Sequence, residues 1–144
     1  MKKIRTIYGL SSLLALLFGI CIYLFFRDLS NIIFFNWLPY FEFTKTVFIK
    51  LPQSILSYIF LYNIPDMLWF VSGILLLRFI WFYKFREQKI YIISFYIIGA
   101  LFEFGQLFII PGTFDFLDLF FMALGAFIEG LIYFKFVKEY IQYQ

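Results

Sequence analysis

Histidine is absent from the 144-residue sequence, and cysteine occurs only once, at Cys21. Without histidine, the chain lacks the usual ligands of zinc and the base of Ser-His and Cys-His nucleophile systems. One cysteine inside an apolar run supplies neither a disulfide framework nor a thiolate metal site. Charged residues are also scarce, at 15% of the chain, against about 25% in soluble domains. These absences exclude the commonest catalytic and metal-binding arrangements.

Apolar side chains are correspondingly abundant. Hydrophobic residues make up 64% of the sequence and aromatic residues 26%, whereas soluble domains are about 45–50% apolar. A soluble fold of this size could not bury so many Phe, Ile, Leu and Tyr side chains, but a bilayer covers them. The composition therefore predicts an integral membrane protein, with residues 1–144 forming a single transmembrane domain.

Four apolar runs have the length of a membrane-crossing helix, which is about 20 residues. They predict an all-α, multi-pass transmembrane helical bundle with spans at about 7–26, 65–83, 90–110 and 116–137. The first run is longer than the apolar part of a signal peptide and lacks a small-residue cleavage site. We therefore expect it to be an uncleaved anchor.

The connection over residues 27–64 is too apolar for an ordinary hydrophilic loop. Within it, the stretch from Gln53 to Tyr62 is too short to span the membrane, and we expect it to lie along the outer interface as a helix. A re-entrant or spanning segment over residues 46–62 is the alternative.

The distribution of basic residues indicates the orientation of the bundle. Eight of the twelve Lys and Arg residues fall on one side of the predicted spans: Lys2, Lys3, Arg5, Lys84, Arg86, Lys89, Lys135 and Lys138. By the positive-inside rule, the N-terminus, the loop over residues 84–89 and the C-terminal tail lie in the cytoplasm. These residues form no basic stripe free of apolar neighbours, so nucleic-acid binding is not expected.

Polar residues interrupt the apolar runs near the predicted outer face, at Asp66, Glu103, Gln106, Asp115 and Asp118. Asp66 begins the second span, while Asp115 and Asp118 begin the fourth. Glu103 lies on the third span, about 10 Å below its outer end at 1.5 Å of rise per residue. A carboxylate at this depth costs about 2.5–3.5 kcal/mol and should face other helices or water. The sequence therefore predicts an acidic ligand pocket that opens to the outside.

Other roles for the same acids stay open at this point. Asp115 with Asp118, and Asn63 with Asp66, have the spacing of helix caps, and carboxylates are favourable at the positive end of a helix. Carboxylate oxygens also suit magnesium or calcium, but the spacing matches no defined metal motif, so no metal or cofactor is predicted. Paired carboxylates could act as acid and base on a lipid-linked substrate, although no clear nucleophile accompanies them.

Two further charged residues lie deep inside predicted spans. Arg78 is about 18 Å below Asp66, and Glu129 is about 17 Å below Asp118, by the same helical rise. Because the two depths match, Arg78 and Glu129 are expected to form a structural ion pair. The alternative is that Arg78 extends to the cytoplasmic interface.

The acidic motif resembles that of the VanZ-like family of small bacterial membrane proteins. The resemblance covers roughly residues 63–130. The pattern "E-x-x-Q" corresponds to Glu103 and Gln106, and "GTFDxxD" contains Thr113, Asp115 and Asp118. A later glycine is Gly125, and the acid at the start of an earlier helix is Asp66. Two positions depart from the pattern: Gly112, where the family often has Arg, and Met122, where it often has Asn. The resemblance implies a cell-envelope role in the bacterial cytoplasmic membrane, in a family named for a protein associated with low-level teicoplanin resistance.

Three functions are consistent with these features. The first is a membrane module whose outer pocket, lined by Asp66, Glu103, Gln106, Thr113, Asp115 and Asp118, binds a membrane lipid or a cell-wall-related ligand. The second is an enzyme that acts on a lipid-linked envelope substrate through Glu103, Asp115 and Asp118. The third is a structural or holin-like accessory protein. We favour the first; the sequence leaves the ligand, the reaction and the oligomeric state open.

Overall fold

The computed structural model describes residues 2–26, 49–82, 84–110 and 114–142. Within these ranges all regular structure is helical, as the sequence predicts. The elements in chain order are α1 (Lys2–Phe26), α2 (Ile55–Ile80), α3 (Phe85–Gly105) and α4 (Phe116–Gln142). The predicted outer segment lies partly outside the described residues, over 27–48.

Three of the four helices are long and apolar enough to cross a membrane: Lys3–Phe26, Ile55–Ile80 and Phe116–Lys135. They indicate a transmembrane protein. The helix α3 has 21 residues, but polar side chains such as Lys89 and Glu103 leave it less apolar than the other three. A membrane crossing by α3 therefore remains part of the proposal below.

The separate interfacial helix expected over Gln53 to Tyr62 is not confirmed. Those residues lead without a break into α2, which runs through a short α-turn at Ile55–Tyr58, a π-helical turn at Ile59–Asn63 and the α-helix Ile64–Ile80. The second span was predicted to begin at about residue 65, which is Pro65; proline lacks an N–H, and its ring clashes with the preceding turn inside an α-helix. The wide π-turn just before Pro65 has i to i+5 hydrogen bonds, and it lets the helix continue past the proline.

The true start of α2 is at Ser54, whose hydroxyl accepts a hydrogen bond from the Ser57 N–H at 3.1 Å. Such a contact satisfies one of the free N–H groups of a helix start. Asn63, expected to cap the second span, makes no capping hydrogen bond with its side chain. Its carboxamide instead reaches another helix, as described below.

The connection between α2 and α3 is shorter than expected. The Trp81 N–H donates to the Leu77 carbonyl and the Lys84 N–H to the Trp81 carbonyl, both at 2.9 Å, and α3 begins at Phe85. Residues 85–89, predicted to belong to a cytoplasmic loop, are therefore helical, and Gln88 is buried. At its other end α3 stops at Gly105 rather than near residue 110, and residues 106–109 form turns.

The helices α1 and α2 pack antiparallel along most of their length. Near one end the Arg5 side chain donates to the Phe79 carbonyl at 3.0 Å, and near the other the Tyr23 hydroxyl donates to Asp66 at 3.4 Å. Between these contacts, the Ser12 hydroxyl donates to the Ser72 carbonyl at 2.8 Å. The Ser72 hydroxyl in turn donates to the Ser12 carbonyl at 2.9 Å. In a membrane the hydrophobic effect does not drive helices together, so hydrogen bonds between small polar residues such as these two serines help to hold neighbouring helices in contact.

An apolar core joins α2 to α3 and α4. Phe70 and Ile74 of α2 and Met122 of α4 are buried together. The Phe70 ring stacks on the ring of Phe95 from α3, with centroids 4.9 Å apart. Gly99 of α3 lies so close to Met122 that an added Cβ would meet the Met122 Cε at 2.5 Å.

This packing gives the bundle two chemically different ends. We call the end that carries Asp66, Asp115 and Asp118 the acidic end. The opposite end, called the basic end, carries Lys3, Arg5, Lys84, Arg86 and Lys89.

Candidate functional site

Glu103 links the third and fourth helices at the acidic end. Its side chain is only 9% exposed, and its Oε1 accepts a hydrogen bond from the Asp115 backbone N–H at 3.1 Å. Its Oε2 accepts from the Gln106 side chain at 3.3 Å. A buried carboxylate needs such donors, because leaving it without them would cost the full desolvation energy of the charge. Glu103 thus lies beside the head of the fourth helix and is turned into the bundle.

The Asp115 side chain also contacts the start of α2. Its Oδ2 accepts a hydrogen bond from the Tyr58 hydroxyl at 3.0 Å, and its Oδ1 accepts from the Leu117 backbone N–H at 2.8 Å. The second bond makes Asp115 a cap of α4, which begins at Phe116. The capping interpretation and the clustering interpretation therefore both apply to this residue.

Asp118 contacts a different part of α2. Its Oδ1 accepts a hydrogen bond from the Asn63 side-chain amide at 2.7 Å. Asn63 is completely buried, and its own Oδ1 has no hydrogen-bond partner among the described residues. This contact fixes the head of α4 against the π-turn of α2.

The predicted pocket residues contact several helices. Glu103 accepts hydrogen bonds from Gln106 and the Asp115 N–H, Asp118 accepts one from Asn63 of α2, and Asp66 accepts one from Tyr23 of α1. Thr113 and the departure at Gly112 lie outside the described residues. The other departure, Met122, is buried in the apolar core rather than at the acids. The role of these residues as a ligand pocket stays a prediction.

The network is built around carboxylate acceptors. Carboxylates of Glu103, Asp115 and Asp118 face donors from an amide, a phenol and backbone N–H groups. Such a site can accept hydrogen bonds from hydroxyl or ammonium groups, and it would repel phosphate. Within the described ranges, no three His, Cys, Asp or Glu residues are grouped so that they could hold a metal ion.

A second polar cluster lies deeper, toward the basic end. The Arg78 Nε is 2.5 Å from Glu129 Oε1, and Nη2 donates to Oε2 at 2.8 Å. Both side chains are almost fully buried, at 9% and 5% exposed. The Arg78 guanidinium also lies over the Tyr133 ring, 3.5 Å from its centroid. Arg78 and Glu129, which the sequence matched by depth, are thus in direct contact.

Gln88 completes this cluster and was missed by the sequence analysis. Its Oε1 accepts from Arg78 at 3.3 Å, and its Nε2 donates to the Trp81 carbonyl at 3.0 Å. Gln88 sits among Lys84, Arg86 and Lys89, so the sequence suggested a solvated loop. Tyr58 and Asn63 were missed as partners of the acids for a similar reason, since both were assigned to an outer segment rather than to the second helix.

No protein-family model, curated protein or solved structure matches this chain.

Proposed function

We propose that this chain is a VanZ-like protein of the bacterial cytoplasmic membrane with four spans and both termini in the cytoplasm. In this proposal the acidic end faces outward and binds a lipid or a cell-wall-related ligand through Glu103, Asp115 and Asp118. A link to teicoplanin-type glycopeptide resistance belongs to the same proposal, because it comes from the family resemblance.

The hydrogen bond between the Glu103 carboxylate and the Asp115 N–H carries the proposal. A deep carboxylate that faced lipid would have no favourable environment, and one on the far side of the bundle could not share a site with α4. Glu103 does neither, and Asp118 is held in the same region by Asn63. The number of carboxylates at one end exceeds what a single helix cap requires.

The chemistry of the acidic end favours a particular class of ligand. Its carboxylates would bind hydroxyl or ammonium groups, as found on sugars and aminoacyl chains of envelope molecules. A phosphate would be held poorly, because the position where the family often has Arg is Gly112. The ligand is therefore expected to present its donor groups to the acids and its apolar part to the surrounding helices.

A fourth crossing by α3 is consistent with its dimensions. Beyond Lys89, helical residues 90–105 extend about 24 Å at 1.5 Å per residue, and the turns over residues 106–109 bring the stretch closer to the hydrocarbon thickness of about 30 Å. Its basic residues Arg86 and Lys89 lie at one end, where the positive-inside rule would keep them in the cytoplasm. With α3 crossing, the acidic end faces out.

A purely structural role is the second candidate, and one observation favours it. Each of the three carboxylates already has a donor within the chain: Asp115 N–H, Tyr58 and Asn63. A network satisfied in this way can hold the helices in register without any ligand.

Native mass spectrometry of the protein released from bacterial membranes separates the two candidates. The ligand proposal expects a bound species in the wild type that is lost in Glu103→Leu. Glu87→Leu, which removes an acid at the other end of the same helix, is the matched control and should keep that species. If wild type and Glu103→Leu carry the same species at the same occupancy, the ligand proposal is wrong and the structural one stands. Teicoplanin susceptibility with and without the expressed protein tests the resistance link separately.

A further inference from the structure

A groove between three helices lies away from the acidic cluster. Both α1 and α4 pack on α2, and within the described residues they contact each other much less than either contacts α2. They leave a cavity of about 280 Å³ whose floor includes Val71 and Leu75 of α2. Ile7 forms part of one wall, and Ile128 and Ile132 form part of the other.

The groove is open toward the lipid and closed at its deep end. Ile7, Ile128 and Ile132 line it and are still 53%, 44% and 50% exposed. At Gly125 the helices α2 and α4 approach so closely that an added Cβ would meet Val71 Cγ2 at 2.7 Å. The groove runs from Met67, next to Asp66, toward the basic end, where Ile4 and Ile132 line it. Its floor, from Met67 to Leu75, is about 12 Å long at 1.5 Å per residue.

Hydrocarbon fits this space better than water does. A buried water needs two to four polar partners, and the walls are almost entirely aliphatic. Glu129 lines the cavity, but both of its oxygens are occupied by Arg78. An apolar cavity of about 150 Å³ already accommodates benzene, so this one has room for a single alkyl chain.

One feature indicates the chemistry of the occupant's polar end. Lys3 and Lys135 are exposed and lie four and three residues from the lining residues Ile7 and Ile132, so each shares a helix face with the groove. Two cations at the end of an apolar groove complement an anionic headgroup.

We propose that this groove binds one acyl chain of an anionic phospholipid from the leaflet at the basic end. Lys3 and Lys135 hold the phosphate. This site is separate from the acidic end and does not depend on the function proposed for it.

The chain-binding half of the proposal is tested with two neighbouring substitutions. The full-length protein in detergent micelles is titrated with palmitoyl-oleoyl phosphatidylglycerol, and bound lipid is counted by native mass spectrometry. Ile132→Trp fills the groove and should weaken binding of the first lipid about tenfold. Leu131→Trp adds the same bulk at an equally exposed position, 55% against 50%, but outside the groove, and should bind as the wild type does. Equal binding by the two variants overturns the proposal.

If Ile132→Trp instead converts a dimer to a monomer with its lipid unchanged, the groove takes a second copy of the chain, and the lipid proposal is wrong.

The headgroup half is tested with phosphatidylcholine that carries the same acyl chains. The wild type should prefer phosphatidylglycerol about tenfold, and Lys3→Gln combined with Lys135→Gln should abolish that preference. Lys89→Gln, which removes an exposed cation at the same end on α3, should leave it intact. A preference that survives the double substitution contradicts the headgroup assignment. Glu103→Leu should change neither measurement, which separates failure here from failure at the acidic end.

Discussion

Arg78 and Glu129 form an ion pair with both oxygens of the carboxylate engaged, deep between α2 and α4. Gln88 of α3 also hydrogen-bonds Arg78, and Tyr133 lies against its guanidinium face. One cation therefore connects three helices. Because the pair is almost fully buried, either charge alone would be left without compensation.

We expect the single variants Arg78→Met and Glu129→Leu each to lose about 3–5 kcal/mol of stability, the usual cost of breaking a buried pair. The double variant should recover most of that loss, because two apolar side chains of similar size replace two charges. Thermal unfolding in micelles measures all three. Arg86→Met, an exposed cation on α3, is the control and should unfold as the wild type does. A double variant no more stable than either single variant would show that the two residues act independently.

The contact between Asn63 and Asp118 can be tested with a double-mutant cycle. Asn63→Leu removes the amide that donates to Asp118 at 2.7 Å, and we expect a loss of about 1–3 kcal/mol because the carboxylate loses a buried donor. Asp118→Leu should cost a similar amount. The double variant should be more stable than the sum of the two losses predicts, with the free energy of unfolding as the measurement. Additive losses would mean that the pair is not coupled.

Close approach of α1 and α2 gives a prediction about Gly19, and Gly130 of α4 serves as the comparison. A Cβ added at Gly19 would clash with the Trp69 indole, which stacks on Tyr23 with centroids 4.8 Å apart. Gly19→Ala should therefore cost about 1–3 kcal/mol, as overpacking does. Gly130 has no neighbouring atom within 4 Å of an added Cβ, so Gly130→Ala should gain up to about 1 kcal/mol from helix propensity.

Thermal unfolding of the two glycine variants, followed by Trp fluorescence, gives the comparison directly. The emission of Gly19→Ala should also shift at low temperature, because the Trp69 ring has to move. Equal stability of the two variants would contradict the packing of α1 on Trp69.

Sequence reasoning predicted contacts that depend on depth along a helix. The Arg78–Glu129 pair follows from equal distances below two helix starts. Proximity of Glu103 to the head of the fourth helix follows in the same way, since the short connection from residue 106 to 115 keeps the two ends together. The rise per residue predicts the first contact, and the short connection together with that rise predicts the second, without any detail of the side chains.

Contacts that depend on angular position or on helix boundaries were not predicted. The second span was predicted to begin at about residue 65, but the helix already includes the π-turn at Ile59–Asn63. This turn also shifts the side chains before Pro65 to directions around the helix that differ from those in a regular α-helix. Asn63 and Tyr58 therefore contact α4. The regular 3.6-residue period of an α-helix did not predict these contacts. The burial of Gln88 was not predicted, because its basic neighbours indicated a solvated loop. In the structure the helix α3 already begins at Phe85.

The number of crossings is tested by cysteine labelling on whole cells. In a Cys21→Ser background, Lys84→Cys marks the turn before α3, and Ile109→Cys marks the turns after it, where Ile109 is 88% exposed. If α3 crosses the membrane, a membrane-impermeant maleimide should label Ile109→Cys on intact cells. It should label Lys84→Cys only after permeabilisation, because the proposed topology puts the basic end in the cytoplasm.

Labelling of both cysteines from the same side would mean that α3 does not cross. If that side is the cytoplasm, the turns after α3 lie inside and an outward-facing ligand site is excluded, although the Glu103–Asp115 contact itself would be unaffected. The signal of Ile109→Cys therefore decides more than the topology. It determines whether the carboxylates of α3 and α4 can meet molecules of the cell envelope at all.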